Sequence, residues 1–211
     1  MSKIQEIAAA VEAGQSKVIA GLVEDALAEG IDPLDILNQG MIATMDIVGA
    51  KFQKEEIFIP EMLVAARCMK KGVDVLKPHL GEISTASRGK AIIGTVAGDL
   101  HDIGKNLVSM MIESAGFEVT DLGVDVPAGK FVEAAEADKE VSIVAVSALL
   151  TTTMPAMKDT VAALNASGDR SRFKVMVGGA PITQAFCSEI GADAYSPDAG
   201  AAAQKAKELV G

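Results

Sequence analysis

From residue 90 onward, short apolar runs and amphipathic stretches alternate, and this alternation restricts the fold more than any other feature of the chain. Residues 90–96 read as a buried strand, and a helix from about 104 to 115 follows. Strands around 117–122, 141–146, 173–177 and 192–195 then alternate with helices around 130–137, 154–166, 183–190 and 201–210. Strands regularly followed by helices predict a parallel sheet with helices on both faces. Right-handed crossovers make such a sheet doubly wound. Ligands of these folds sit beyond the carboxyl ends of the strands, so the informative residues belong in the loops just after strands.

The first 80 residues follow a helical period instead. Ile4, Ile7, Ala8 and Val11 share one face, and Gly14 stops that helix. Ile19, Leu22, Val23 and Ala26 begin a second, ended by Gly30. Pro33 opens a third, in which Leu34, Leu37, Met41, Met45, Val48 and Phe52 step by three or four. Pro60 opens a fourth, with Met62, Ala66, Met69, Val73 and Leu76 in the same rhythm, and Pro78 closes it. Four amphipathic segments with short connections predict an antiparallel four-helix bundle. Gly81, Ser84, Thr85, Ser87 and Gly89 mark a linker. The expected organisation is a helical bundle over 1–83, a linker over 84–89 and an α/β domain over 90–211.

Composition narrows the function. Lys plus Arg number 19 and Asp plus Glu 29, a net charge of −10, which disfavours phosphate backbones and anionic membranes as partners. Aromatics make up 3%, with no Trp, too few for a base-stacking surface. Hydrophobic residues at 49% and charged residues at 23% describe a folded protein, not a disordered one. Cys68 and Cys187 form neither a CxxC pair nor a zinc spacing. The first residues lack the basic and apolar runs of a secretory leader, and no run of about 18 apolar residues suggests a membrane helix. A cytoplasmic protein is expected.

The first strand runs into Gly98-Asp99-Leu100-His101-Asp102-Ile103-Gly104-Lys105-Asn106. In one reading Asp99 or Asp102 simply caps the next helix, the commoner use of such residues on spacing alone. A dinucleotide loop fails, because GxGxxG is absent and acidic residues stand where a pyrophosphate needs amides. In a third reading His101 binds a metal through one ring nitrogen while Asp99 accepts the proton on the other. One His and one Asp are too few for an all-protein metal site, but a metal already held by a macrocycle needs a single axial ligand. His79, in Pro78-His79-Leu80, reads as a surface residue or helix terminus. The third strand ends in Ser147-Ala148-Leu149-Leu150-Thr151-Thr152-Thr153, with more hydroxyls than one cap requires. The fourth ends in Gly178-Gly179, either a turn or a place where a ligand lies against the backbone.

These segments resemble the motif set of corrinoid-binding proteins: Asp99-x-His101-x-x-Gly104, Ser147-x-Leu149 and Gly178-Gly179, in that order. The chain is similar to the methyl-carrying corrinoid proteins of methanol, methylamine, quaternary-amine and methoxyaromatic methyltransferase systems, and to the cobalamin-binding modules of methionine synthase. The resemblance covers essentially the whole chain. It implies a Rossmann-like or flavodoxin-like five-stranded domain beneath a helical cap, with cobalamin, methylcobalamin or a related cobamide as cofactor. It implies that His101 replaces the lower base as axial cobalt ligand, that Asp99 hydrogen-bonds the imidazole, and that Thr153 continues the relay. Gly98, Leu100, Asp102, Ile103 and Gly104 accompany them in the cofactor loop, with Gly104 letting the nucleotide tail pass. Ser147, Leu149 and Thr151 line the tail slot, and Gly178 and Gly179 form its far wall. Phe52, Ile59 and Met62 cover the upper face, from a segment in which Lys54-Glu55-Glu56 interrupts the helical pattern.

The implied activity is methyl carriage. Co(I) accepts a methyl group from a donor through a substrate-specific methyltransferase. Methyl-Co(III) passes it to tetrahydrofolate or a thiol through a second methyltransferase, and a reductive activator rescues oxidised cobalt. The chain shows no catalytic triad, zinc set or phosphate loop, and reads as a carrier component not catalytic alone. The alternatives are a corrinoid-dependent sensor, for which no DNA-binding stretch is left over, an adenosylcobalamin mutase domain, which lacks such a cap, and a non-corrinoid flavodoxin-like module with a structural His101.

Overall fold

The computed structural model describes residues 2–80 and 88–210, the side chain of Gln53 apart. Two compact units emerge, one from the helical first half with Glu113–Gly116, the other from Arg88–Ile112 and the chain from Phe117 onward. Residues 84–87 of the expected linker lie outside the described residues.

In the helical unit, α1 (Lys3–Glu12) and α2 (Ile19–Ala28) end just before Gly14 and Gly30, as the sequence predicts. The third helix is not uniform. It starts as α3 (Pro33–Asp35), with Asp32 Oδ1 accepting the Leu34 N–H at 2.8 Å. It widens into a π-helical stretch over Ile36–Ile42 and continues as α4 (Ala43–Gln53). The cause is visible in the burial. Ile36, Gly40, Thr44 and Val48 are buried, as are Leu37, Met41 and Met45, each row in steps of four. An ordinary helix drifts about 40° per four residues, whereas one wider turn brings the stripe back towards the core. Helix α5 (Ile59–Leu76) begins one residue before Pro60, with Glu61 accepting the Phe58 N–H at 2.8 Å. The expected interruption from Phe52 to Met62 therefore shrinks to the residues between α4 and α5. A 3-10 turn at Lys77–His79 follows, with His79 exposed.

The second unit is a parallel sheet in the order β2-β1-β3-β4-β5. Its strands are β1 (Lys90–Thr95), β2 (Glu118–Asp121), β3 (Val141–Ser147), β4 (Lys174–Gly178) and β5 (Ala194–Ser196). Helices α6 (Ile103–Ser114), α7 (Ala128–Ala137), α8 (Met154–Ala166), α9 (Gln184–Ile190) and α10 (Ala199–Val210) connect and follow them. Nearly every residue of β1 and β3 is buried, as strands covered on both faces must be. Phe131, Phe173, Val144, Val161 and Leu164 form part of the shared core. Short β2 is largely exposed, as an edge strand.

Two features of this sheet position the site. The strand order reverses between β1 and β3, the switch point where a crevice opens. The register also aligns Thr95 with Ser147, Ser147 with Gly178, and Gly178 with Ser196. One row across four strands thus marks the carboxyl edge, and each loop singled out in the sequence begins on it.

Candidate functional site

Beyond β1 the backbone turns at Val96, which bridges to Val126, and delivers Asp99 into the interior, where its side chain is fully buried. His101 follows with its side chain half exposed. Asp99 Oδ1 accepts the His101 backbone N–H at 3.1 Å and lies 2.7 Å from His101 Nδ1. Asp99 Oδ2 accepts the Leu149 N–H at 2.7 Å and the Thr153 hydroxyl at 2.9 Å. The loop after β1 and the loop after β3 are therefore joined through one carboxylate at the switch point.

Burial by itself pushes the Asp99 carboxyl up. Against it act the Leu149 N–H, the His101 ring, the His101 N–H and the Thr153 hydroxyl, which together hold it well below the usual carboxylate range. An anionic carboxylate only accepts hydrogen bonds. Nδ1 must then carry the imidazole proton, which leaves the lone pair of the neutral ring on Nε2.

Large aliphatic residues accompany the pair in the loops it joins. Leu100 is 72% exposed, Ile103 85%, Leu149 41% and Leu150 40%. Three of them lie in the two loops that Asp99 joins and Ile103 opens α6, and exposed aliphatic residues beyond the ends of two adjacent strands suit a ligand. Among the described residues no three His, Cys, Asp or Glu side chains gather as a metal set, so a metal here must bring most of its own ligands. A broad, mostly apolar macrocycle with one open axial position fits both observations.

The other expected residues take definite places. Gly98 has φ +80° and donates its N–H to Asp125 Oδ1 at 2.7 Å. Asp102 caps α6: its carbonyl accepts the Asn106 N–H at 2.7 Å and its carboxylate the Asn106 side-chain amide at 3.2 Å. Gly104, in the first turn of α6, has open space where a Cβ would stand. Thr151 is exposed and Thr153 buried, in the 3-10 turn Thr151–Thr153. Ser147 ends β3 beside Gly178. The need for Gly179 has a different origin from the one the sequence suggests. At φ +128°, a Cβ there would stand 1.8 Å from the Ala148 carbonyl oxygen, so the neighbouring strand end already demands glycine.

In the helical unit, Phe52 lies in the last turn of α4 and is half-buried, and Ile59 opens α5 at 38% exposure. Met62 is only 5% exposed, a core side chain of its unit and not a loop residue. Phe58, which the sequence reading passed over, is 66% exposed. Three further residues were missed in the sheet unit. Asp125 holds the Gly98 amide. Buried Lys105 pairs with Asp121 and donates to Asn106 Oδ1 at 2.6 Å. The Ser196 hydroxyl, on the carboxyl row beside Gly178, is buried without a hydrogen-bond partner. Such an orphan beside an open strand edge is a group that a polar ligand would satisfy.

A lone imidazole, oriented by a buried carboxylate at the switch point of a 2-1-3-4-5 sheet, defines a cofactor-binding α/β domain whose metal arrives with the cofactor. Comparison with known proteins agrees. Residues 89–205 match the B12 binding domain family, and residues 3–77 match a second family model also described as a B12 binding domain. The dimethylamine corrinoid protein 1 of Methanosarcina acetivorans is 44% identical over 208 residues, covering 98% of this chain and 97% of that protein. Among solved structures, the methanol:cobalamin methyltransferase complex of Methanosarcina barkeri superposes with a TM-score of 0.87 at 29% identity, covering 99% of this chain and 79% of that one. A cobalamin-binding protein of Desulfitobacterium hafniense gives 0.76 at 33% identity, covering 99% and 98%. The chain belongs to the B12-binding corrinoid proteins of one-carbon methyltransferase systems, and its cofactor is a corrinoid. That membership sets aside the non-corrinoid alternative. No helix among the described residues is long and apolar enough to cross a membrane.

Proposed function

We propose that this chain is the methyl-carrying subunit of a corrinoid-dependent methyltransferase system whose methyl donor is a methylated amine. The donor class is supported by the likeness to a dimethylamine corrinoid protein over nearly the whole of both chains. A substrate-specific methyltransferase would load the carrier. A folate- or thiol-specific methyltransferase would unload it, and a reductive activator would restore oxidised cofactor, all in the cytoplasm. The bound corrinoid supplies a nucleophilic cobalt able to accept and release a methyl group.

The protein's own part is positional and electrostatic. His101 Nε2 would hold the corrinoid's metal, kept free for it by the Nδ1–H···Asp99 hydrogen bond. Asp99 strengthens the donor character of Nε2. Thr153 keeps the carboxylate turned towards the ring. Leu100, Ile103, Leu149 and Leu150 seat the lower face of the macrocycle, with Gly98 and Asp102 shaping the loop. Gly104 leaves passage for the nucleotide tail, and Ser147, Thr151, Gly178 and Gly179 line its slot. The chain divides into an antiparallel four-helix bundle over 1–83, a linker over 84–89 and the corrinoid domain over 90–211. Phe52, Ile59 and Met62 belong to the helical unit, which would shield the methylated cofactor between transfers.

The observation that carries this reading is the 2.7 Å contact between His101 Nδ1 and buried Asp99, which leaves the Nε2 lone pair for a metal. The test is uptake of hydroxocobalamin by purified cofactor-free protein. One equivalent should remain through gel filtration, and the reduced Co(II) form should show nitrogen hyperfine splitting that His101→Ala abolishes. Methyl transfer from dimethylamine should then require the loaded carrier together with its methyltransferase. Failure to retain the corrinoid, or a spectrum unchanged in His101→Ala, would overturn the proposal.

A further inference from the structure

We infer that Asp125 is a positioning residue for the axial histidine, clamping the Gly98–Asp99 backbone from the loop after β2. The inference deepens the axial-ligand reading and rests on it. Asp125 grips the motif twice. Its Oδ1 accepts the Gly98 N–H at 2.7 Å, and its own N–H donates to the Asp99 carbonyl at 3.0 Å. To make both bonds it adopts φ +54°, and it is one of only two residues other than glycine with positive φ among the described residues. Asp tolerates this left-handed conformation better than most chiral residues, but still at a cost. Such conformations persist where surrounding bonds fix them, and they gather at functional sites.

The surroundings here do fix it. The Thr95 N–H donates to the Gly123 carbonyl at 3.0 Å, the Val126 N–H donates to the Thr95 carbonyl at 2.9 Å, and Val96 bridges to Val126. The loop after β2 is thus bolted to the end of β1 on both sides of Asp125. A clamp is needed because Gly98, at φ +80°, meets nothing nearer than Thr153 Cγ2 at 3.8 Å where a Cβ would stand. The Asp99 N–H of the peptide between Gly98 and Asp99 donates to the Val96 carbonyl at 3.2 Å, and Asp125 grips the groups on either side of that peptide, the Gly98 N–H and the Asp99 carbonyl. Leu149 and Thr153 fix the Asp99 carboxylate, and Asp125 fixes the Asp99 backbone. The two together set the direction of the His101 ring, although Asp125 makes no hydrogen bond to that ring.

Three variants of the full chain separate the components. Asp125→Asn keeps an acceptor oxygen and tolerates positive φ. Asp125→Gly relieves the backbone cost but loses the acceptor. Asp125→Ala loses the acceptor and keeps the cost. In the cofactor-free protein, hydrogen exchange of the Gly98 amide should speed up at least tenfold in the Gly and Ala variants and stay near wild type in Asn. With hydroxocobalamin as probe, Gly and Ala should bind about tenfold more weakly, the lower end of the usual penalty for removing a group that orients a metal ligand. Their Co(II) spectra should mix nitrogen-split and unsplit signals, while Asn matches wild type. Wild-type exchange, affinity and splitting in both Gly and Ala would overturn the inference. So would an Asn variant as impaired as Ala, which would point to charge instead of the hydrogen bond. Should Ala fail to fold, Gly carries the test. Should wild-type protein itself show no nitrogen splitting, the axial-ligand reading fails, and the exchange of Gly98 alone then decides whether the clamp exists.

Discussion

Asp99 and His101 form one hydrogen-bonded pair, yet their removal should have opposite consequences. Asp99→Ala strands the Leu149 N–H, at about 1–3 kcal/mol, while the Thr153 hydroxyl keeps the Leu150 carbonyl as its acceptor at 2.9 Å. His101 is half exposed, so His101→Ala should shift stability by no more than about 0.5 kcal/mol while removing axial ligation. Urea unfolding of the cofactor-free variants measures the first difference, and hydroxocobalamin retention the second. The pair also predicts a pH response. The Asp99 carboxyl is held below its ordinary value in the folded state, so its contribution is complete above about pH 4 and is lost as the pH falls through the folded value. Acid unfolding of the cofactor-free protein should therefore be shallower below pH 4 in Asp99→Asn, and equal slopes would count against an anionic Asp99. At this scale spacing alone favours a helix cap for Asp99, and it is the resemblance carried by the three motifs that points to the Asp99–His101 pair. The sequence was silent on Asp125 and Ser196, because a residue recruited by its backbone conformation or by its place at a strand end carries no distinctive neighbour in the chain.

Among the elements, the glycines flanking the carboxyl edge divide into two kinds. Gly179→Ala collides with the Ala148 backbone, so its thermal midpoint should fall by several degrees without any cofactor. Gly104→Ala meets open space inside a helix, where alanine is favoured by about 1 kcal/mol. Its midpoint should hold or rise, and any loss of corrinoid uptake then reports a contact with the ligand. Calorimetry of cofactor-free and loaded protein separates the two cases. The order of elements was readable because apolar runs alternate with helical periods, and α8 falls where periodicity places it. The short edge elements were less so: β2 and β5 are only 4 and 3 residues long, and such runs leave their ends to partners elsewhere in the chain. The π-helical stretch at Ile36–Ile42 was also missed, since steps of three or four describe an ordinary helix equally well.

For the molecule as a whole, the helical unit sorts its apolar residues into interior and surface, and the sort differs from the one inferred from sequence. Met62 is interior and Phe58 is not. Met62→Ala should cost about 2–5 kcal/mol, read as a lower denaturation midpoint. Phe58→Ala should leave stability within about 0.5 kcal/mol and retain the corrinoid, while altering photolysis of the methylated cofactor or the rate of transfer to a partner. Unchanged rates would remove Phe58 from any role in the cap. The sequence concealed this sorting because Phe58, Ile59 and Met62 are all apolar within five residues, and only the start of α5 decides which of them turn inward.

The widened turn in the long helix has a consequence for how this protein can vary. Each residue in such a helix advances the phase by about 100°. A π-helical turn holds one residue more than an ordinary turn, so deleting one residue between Ile36 and Ile42 would return it to an ordinary turn and leave the stretch beyond facing much as before. The same deletion inside α4 or α5 would swing every residue beyond it round by about 100°. A change of length by one should therefore be tolerated between Ile36 and Ile42 far better than in those regular helices.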